Sequence, residues 1–175
     1  HTTHFSAADA EGNWVACTAT INTAFGSKVV VPGTGIVLNN EMDDFSAQPG
    51  VANHFGLIGA EANAVAPGKR PLSSMSPTIV LRGDEPVLAI GAAGGPTIIS
   101  QTLLAIVNVL DFGMELPAAI GAPRFHHQWS PDELKIEERI GAPVLGDLKS
   151  RGQKISAGGA FGACNGVMRS ADGKG

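Results

Sequence analysis

Charge is scarce in this sequence. Charged side chains make up 16% of its 175 residues, against 43% hydrophobic ones. A chain of that composition buries a core and is not a disordered segment. The charge that is present forms no basic run. With 12 Lys and Arg against 16 Asp and Glu, the formal net charge is −4, which argues against a nucleic-acid partner. Cysteine is sparser still. Cys17 and Cys164 are the only two, too few for a disulfide framework, and whether they pair stays open. Long hydrophobic runs are missing as well. The most apolar stretch, Leu103 to Leu110, is too short to span a bilayer and reads as a buried helix. No signal peptide opens the chain; if it is cut from a longer precursor, any targeting segment lies upstream.

Glycine and proline are plentiful, at 23 and 11 residues, and predict many tight turns within a single domain spanning 1–175. Thr3 to Ala8 and Trp14 to Ile21 read as a strand pair around the turn residues 9–13. Lys28 to Val31 and Ile36 to Leu38 read as further short strands. Residues 47–72 read mostly as loop, a length that is often functional. Thr78 to Arg82 and Val87 to Gly91 form a second hairpin around Gly83-Asp84. A helix follows from about Thr97 to Phe112, expected to be buried, with Pro96 in its first turn and Gly113 at its C-terminal cap. A shorter helix covers Glu115 to Gly121. Leu134 to Glu137 reads as a strand, Val144 to Arg151 as a helix, Lys154 to Ala157 and Gly166 to Arg169 as strands, and Ala171-Asp172-Gly173 as a turn.

Chemistry concentrates at the start, in His1-Thr2-Thr3-His4-Phe5-Ser6. A threonine at a free N-terminus attacks with its hydroxyl while its own α-amine, titrating near pH ~8, takes the proton. Here His1 precedes Thr2 and makes that nitrogen an amide. Either His1 is a leftover residue, or it precedes a self-cleavage site where Thr2 attacks the His1 carbonyl. The plainer alternative is that Thr2 and Thr3 are ordinary β-branched strand residues.

Two further stretches carry polar chemistry. Glu41, Asp43 and Asp44 place three carboxylates within four residues, which repel unless a cation sits among them. The spacing is not that of an EF-hand. Gly94-Gly95 stands just before a helix N-terminus, where unpaired backbone N–H groups and the helix dipole suit an anion or a developing oxyanion. The glycine spacing is wrong for a dinucleotide site. His126 and His127 are adjacent on a strand and point opposite ways, which argues against a shared metal. No cofactor is expected.

Taken together these motifs resemble the small, C-terminal subunit of the gamma-glutamyltranspeptidases. The stretches that carry the likeness are Thr2 to Ser6, Thr20 to Gly26, Leu38 to Ser46, Pro71 to Thr78, Gly94-Gly95 and Ala122 to Trp129. The resemblance implies an α+β, four-layer αββα N-terminal nucleophile hydrolase, made as a precursor that cuts itself before the nucleophile. It implies a large subunit of the same precursor as partner, a periplasmic or secreted location, and a glutathione-like γ-glutamyl donor with water, an amino acid or a peptide as acceptor. By residue, it implies Thr2 as nucleophile, Thr20 as the hydroxyl bonded to it, and Gly94 and Gly95 as the oxyanion hole. Asn22, Glu41 and Asp44 would hold the substrate α-amino group, Ser73 and Ser74 its α-carboxylate, and Phe55 would sit on a loop over the site. Departures are Ala92 and Ala93 where the family usually has serine and proline, Pro96 where it has a small polar residue or alanine, and Cys164-Asn165 near the end. The family's closing segment, beyond a turn like Asp172-Gly173, is expected to be missing. A related cephalosporin acylase is the competing enzyme reading, and a silent homologue acting as a binding module is the competing non-enzyme reading.

Overall fold

The structure is a computed structural model that describes residues 1–170. The turn expected at Ala171-Asp172-Gly173 lies outside them. β1 (Thr2–Ala8) and β2 (Trp14–Thr20) form an antiparallel hairpin in which Thr2 faces Thr20, His4 faces Thr18 and Ser6 faces Ala16. Asp9 closes the turn by accepting from the backbone and side chain of Asn13. β3 (Thr78–Arg82) and β4 (Glu85–Ala93) form the second hairpin, and β8 (Ala163–Met168) pairs antiparallel on the other edge of β4. β5 (Phe125–His126), β6 (Leu134–Glu137) and β7 (Ile155–Gly158) make a third, mixed sheet.

β4 organises the molecule because both of its faces are covered, and such a strand reads as a continuous apolar run rather than an alternating one. Leu88, Ile90 and Ala92 turn toward α1 (Thr97–Leu110) and α2 (Leu116–Gly121), where they pack with Ile98, Ala105, Leu116 and Cys164. The opposite face carries the small residues Ala89 and Gly91, and the β1–β2 hairpin lies across it. Small side chains there let the two sheets approach closely. His4 is the plug. Its buried ring accepts or donates at both nitrogens, Nδ1 with Thr18 Oγ1 at 2.7 Å and Nε2 with Ser6 Oγ at 2.9 Å. Burial lowers its pKa. A Cβ on Gly91 would fall inside the envelope of this imidazole.

A second buried polar group ties the third sheet to α1. Glu137 has no exposed side-chain surface. It is met by Arg124 Nε at 2.9 Å, Arg139 Nε at 2.6 Å and the Phe161 N–H at 3.3 Å. Burial works to raise its pKa, but these donors outweigh burial and hold the carboxyl below its ordinary value.

Some expectations need correction. The stretch from Lys28 to Leu38 holds only an isolated bridge between Val30 and Val37, because Lys28 (φ 62°), Gly33 (φ 75°) and Gly35 (φ 72°) leave the extended region. α1 is buried on one face only; Ile99 and Leu103 stay more than half exposed. α1 ends at Leu110 rather than Phe112, while Gly113 does adopt a left-handed φ of 63°. α3 spans Ala142–Ser150. Cys17 and Cys164 are free thiols, and burial pushes Cys164 up to about 11. Among the described residues no helix is long and apolar enough to cross a membrane.

The close approach at Gly91 generates a stability prediction. Gly91→Ala should destabilise the protein by about 1–3 kcal/mol through overpacking. Gly146→Ala, in the exposed middle of α3 with nothing within 4 Å of the added methyl, should be neutral or stabilising by about 0.5–1 kcal/mol. Thermal unfolding of the two variants measures the contrast, and equal Tm values would contradict it.

Candidate active site

The hairpin register brings Thr2 level with Thr20 at the open end of β1 and β2. Their hydroxyls are 2.9 Å apart. Thr20 Oγ1 also donates to the His1 carbonyl at 3.2 Å and accepts from the Asn22 N–H at 2.8 Å. A threonine hydroxyl has one proton. With that proton on the His1 carbonyl, Thr20 must accept from Thr2, so Thr2 is the donor of the pair. The Ile21 N–H also donates to the His1 carbonyl, at 3.2 Å. Two donors thus converge on the oxygen that would carry negative charge if Thr2 attacked the His1–Thr2 bond.

Asn22 leaves β2 in a left-handed conformation, φ 71°. Asparagine tolerates that region better than most residues. Its side chain donates to the Asn40 carbonyl at 3.2 Å, and Asn40 Oδ1 accepts from the Thr23 N–H and hydroxyl. The segment after β2 is thereby laced to the segment before the acidic turn. That turn is a 3-10 helix, Glu41–Asp44. Glu41 Oε1 is buried without a hydrogen-bond partner among the described residues. Burial and the neighbouring Asp44 carboxylate raise the Glu41 pKa to about 7. A buried acceptor left unpaired is costly, and here it stands beside a second carboxylate.

Gly94 and Gly95 follow β4 with φ 145° and 58°, and Pro96 caps α1. Gly94 meets Thr97, Gln101 and Gly162 so closely that a Cβ would clash. Neither glycine N–H donates to a protein acceptor among the described residues. The turn is braced from behind. Thr97 Oγ1 donates to the Gly94 carbonyl at 2.8 Å; buried Gln101 donates to the Ala93 carbonyl and to Thr97 Oγ1, and accepts from Arg124 Nη1 at 2.9 Å. The bracing runs on through Arg124 to Glu137.

These elements enclose one open cavity of about 330 Å³, a size that fits a small ligand. All ten residues singled out in the sequence line it: Thr2, Thr20, Asn22, Glu41, Asp44, Phe55, Ser73, Ser74, Gly94 and Gly95. Sequence reasoning missed Met75, Pro96, Ile98, Gly162 and Ala163 on its walls. It also missed the Gln101, Arg124 and Glu137 bracing, whose only local signal was polar residues in otherwise apolar elements. The two adjacent histidines go to separate partners, His126 to Ser100 and Gln128, His127 to Asp132.

Comparison with known proteins gives the same direction throughout. A family model described as Gamma-glutamyltranspeptidase matches residues 1–174. The glutathione hydrolase proenzyme of Escherichia coli strain K12 is 50% identical over 173 residues, covering 99% of this chain and 30% of that protein. An acivicin-inhibited gamma-glutamyltranspeptidase superposes with a TM-score of 0.94 at 47% identity, over 99% of this chain and 93% of that one. A cephalosporin acylase from Bacillus halodurans is more distant, with a TM-score of 0.83 and 30% identity over 97% of this chain and 30% of that one. The chain spans 30% and 27% of the length of the glutathione hydrolase proenzymes of Escherichia coli and Pseudomonas sp. strain A14 that it matches. Its fold is α+β, the small-subunit part of the N-terminal nucleophile hydrolase sandwich. From the hairpin that pairs Thr2 with Thr20 to the braced glycine turn, the chain belongs to the gamma-glutamyltranspeptidase family.

Proposed function

We propose that this chain is the catalytic small subunit of an enzyme that takes γ-glutamyl groups from glutathione and related amides and passes them to water, an amino acid or a peptide. The observation that carries the reading is the meeting, in one cavity, of the Thr2–Thr20 hydroxyl pair with the Glu41 carboxyl, whose Oε1 is buried without a partner among the described residues, beside Asp44. The first is a nucleophile with a positioned neighbour. The second is a site for a cation, and the ammonium of a glutamyl group is one. Ser73 and Ser74 supply hydroxyl and backbone donors for its α-carboxylate.

In this reading the His1–Thr2 bond is cut first. Thr2 Oγ attacks the His1 carbonyl, and the Ile21 N–H and Thr20 hydroxyl stabilise the oxyanion. Collapse of that tetrahedral intermediate breaks the His1–Thr2 C–N bond, the Thr2 hydroxyl proton passes to the released Thr2 amine, and His1 remains as an ester on Thr2 Oγ. Water then hydrolyses the ester, releasing the His1 carboxylate and restoring the Thr2 hydroxyl beside its free amine. Thr20 then loses the acceptor that held its proton and can donate to Thr2 Oγ instead. In turnover the Thr2 hydroxyl attacks the γ-carbonyl carbon of the donor while its amine takes the proton. The carbonyl oxygen becomes negative against the Gly94 and Gly95 N–H groups. The tetrahedral intermediate collapses, the leaving amine takes the proton from the Thr2 amine, and a γ-glutamyl ester remains on Thr2. Water or an acceptor amine, deprotonated by the same Thr2 amine, then releases it. Phe55 covers the glycine turn.

The proposal extends to a large subunit of the same precursor as partner, which would cover the exposed apolar residues Phe5, Val15, Ile99 and Leu103, and to a periplasmic or secreted location. The acylase reading is weaker, because Glu41, Asp44, Ser73 and Ser74 on one cavity together match the two charged groups of an amino acid. Release of p-nitroaniline from γ-glutamyl-p-nitroanilide, with and without glycylglycine, tests the reaction class. Faster release with glycylglycine indicates transfer, equal release indicates hydrolysis, and none refutes the reading.

Two predictions follow from the chemistry of the cavity. Thr2→Ala should abolish both cleavage before residue 2 and turnover, while Thr2→Ser keeps some of each. The intact mass of the small chain and p-nitroaniline release measure these, and a Thr2→Ala chain still cut before residue 2 would contradict the mechanism. The second concerns pH. An ammonium binds the ionised form of Glu41, whose pKa is raised to about 7 by burial and by Asp44. Donor KM should therefore climb as pH falls below about 7, approaching ~tenfold per unit for one proton. A donor lacking the α-amino group should show no such climb, and a shared slope would place the titration elsewhere.

A further inference from the structure

The residues 53–57 that carry Phe55 over the cavity form a small cap with its own internal bonding. Asn53 Oδ1 accepts from the N–H groups of Phe55 and Leu57, each at 3.0 Å, and the Asn53 carbonyl accepts from Gly56. One side of the cap hangs from the acidic turn, where Asp43 Oδ2 accepts from the His54 N–H at 3.2 Å. The other side is held from the far end of the chain. Gln128 Nε2 donates to the Phe55 carbonyl at 3.3 Å and to the Ser130 carbonyl at 3.2 Å. The Phe55 ring lies so close to Gly95 that a Cβ there would be 3.1 Å from it. Wherever the Phe55 backbone is held, the cover on the glycine turn is set.

The network also fixes which atom donates to which. Two carbonyls face one end of the Gln128 amide, so that end is the NH₂. Its Oε1 then faces His126 Nε2 at 3.0 Å, and Nε2 must carry the proton. His126 Nδ1 is left as acceptor for the Ser100 hydroxyl at 2.7 Å. His126 is buried, and Ser100 sits on α1, one turn past the glycine pair. A directional chain of bonds thus runs from α1 through His126 and Gln128 to the cap.

We propose that His126 and Gln128 are positioning residues that strap the Phe55 cap to α1 and so keep the cover over the glycine turn in register with the helix that supports it. The proposal rests on the γ-glutamyl-transfer reading for its kinetic consequence and on geometry alone for the strap. A strap of this kind acts on donor binding more than on the chemical step, since neither residue reaches the reacting atoms.

The test uses the assembled two-subunit enzyme and two variants of half-buried Gln128. Gln128→Leu removes the donor to Phe55. Gln128→Glu keeps the shape and the acceptor for His126 but has no donor for the Phe55 carbonyl. Both should raise KM for γ-glutamyl-p-nitroanilide about tenfold, the effect of one lost hydrogen bond, with kcat within about threefold. Hydrogen exchange at the amides of Phe55, Gly56 and Leu57 should quicken by a similar factor. His126→Gln, which retains a donor toward Gln128, should recover most of the KM lost in His126→Phe. Unchanged exchange at 53–57 in both Gln128 variants would overturn the strap. Faster exchange with unchanged KM, or a loss confined to kcat, would overturn the positioning role. A wild-type enzyme without turnover would count against the proposed function, and the exchange measurement would still decide the strap.

Discussion

The contact between the His4 ring and the Gly91 backbone is the one on which the site depends. A two-stranded hairpin is not stable by itself in water and needs a face to pack on. Here it lies across β4, and His4 is the buried side chain at the centre of that contact. Gly91 gives the ring space, while Thr18 and Ser6 satisfy its nitrogens. Thr2 is two residues from His4 along β1, on the same face, and the Gly94-Gly95 turn is three residues from Gly91 along the chain. Seating one ring therefore brings the threonine pair and the glycine turn to the same cavity wall.

The polar interior works on the same principle of fixing backbone from behind. Glu137 would be costly to bury alone, but with Arg124, Arg139 and the Phe161 N–H it becomes a rigid anchor. Arg124 passes that rigidity to Gln101, and Gln101 to the Ala93 carbonyl and, through the Thr97 hydroxyl, to the Gly94 carbonyl. In the proposed role the turn would receive negative charge and has to be held before that charge develops, because donors that must reorient lose much of their benefit. Glu41 shows the opposite economy. Its Oε1 is left without a partner among the described residues, and burial and Asp44 raise its pKa to about 7. In the proposed mechanism the protein is rigid where charge would develop and unsatisfied where charge would be bound.

Much of this was legible in the sequence because it is local. Both hairpins, the turn before α1, and the start of that helix follow from alternation, turn residues and Pro96. The residues around the cavity were legible as motifs in a familiar order. What was not legible is long-range. Nothing near Gly91 announces that His4 will lie on it, and nothing near Gln128 announces Phe55, 73 residues earlier. The two expected strands between Lys28 and Leu38 shrank to one bridge because Lys28, Gly33 and Gly35 take left-handed φ values, and at Lys28 the residue type does not predict it. The half-exposed face of α1 was misread for a related reason: an apolar face says that it will be covered, not that this chain covers it.

The central claim is that the acyl group passes through the hydroxyl of Thr2. The direct measurement is acid quenching of the assembled enzyme during turnover of a γ-glutamyl donor, followed by mass analysis of the peptides of this chain. The account predicts a mass increase of one glutamyl residue on the peptide that begins at Thr2, lost on mild alkaline treatment as an ester would be. A glutamyl label on any other residue, or steady turnover with Thr2 unlabelled under conditions that trap other esters, would contradict it.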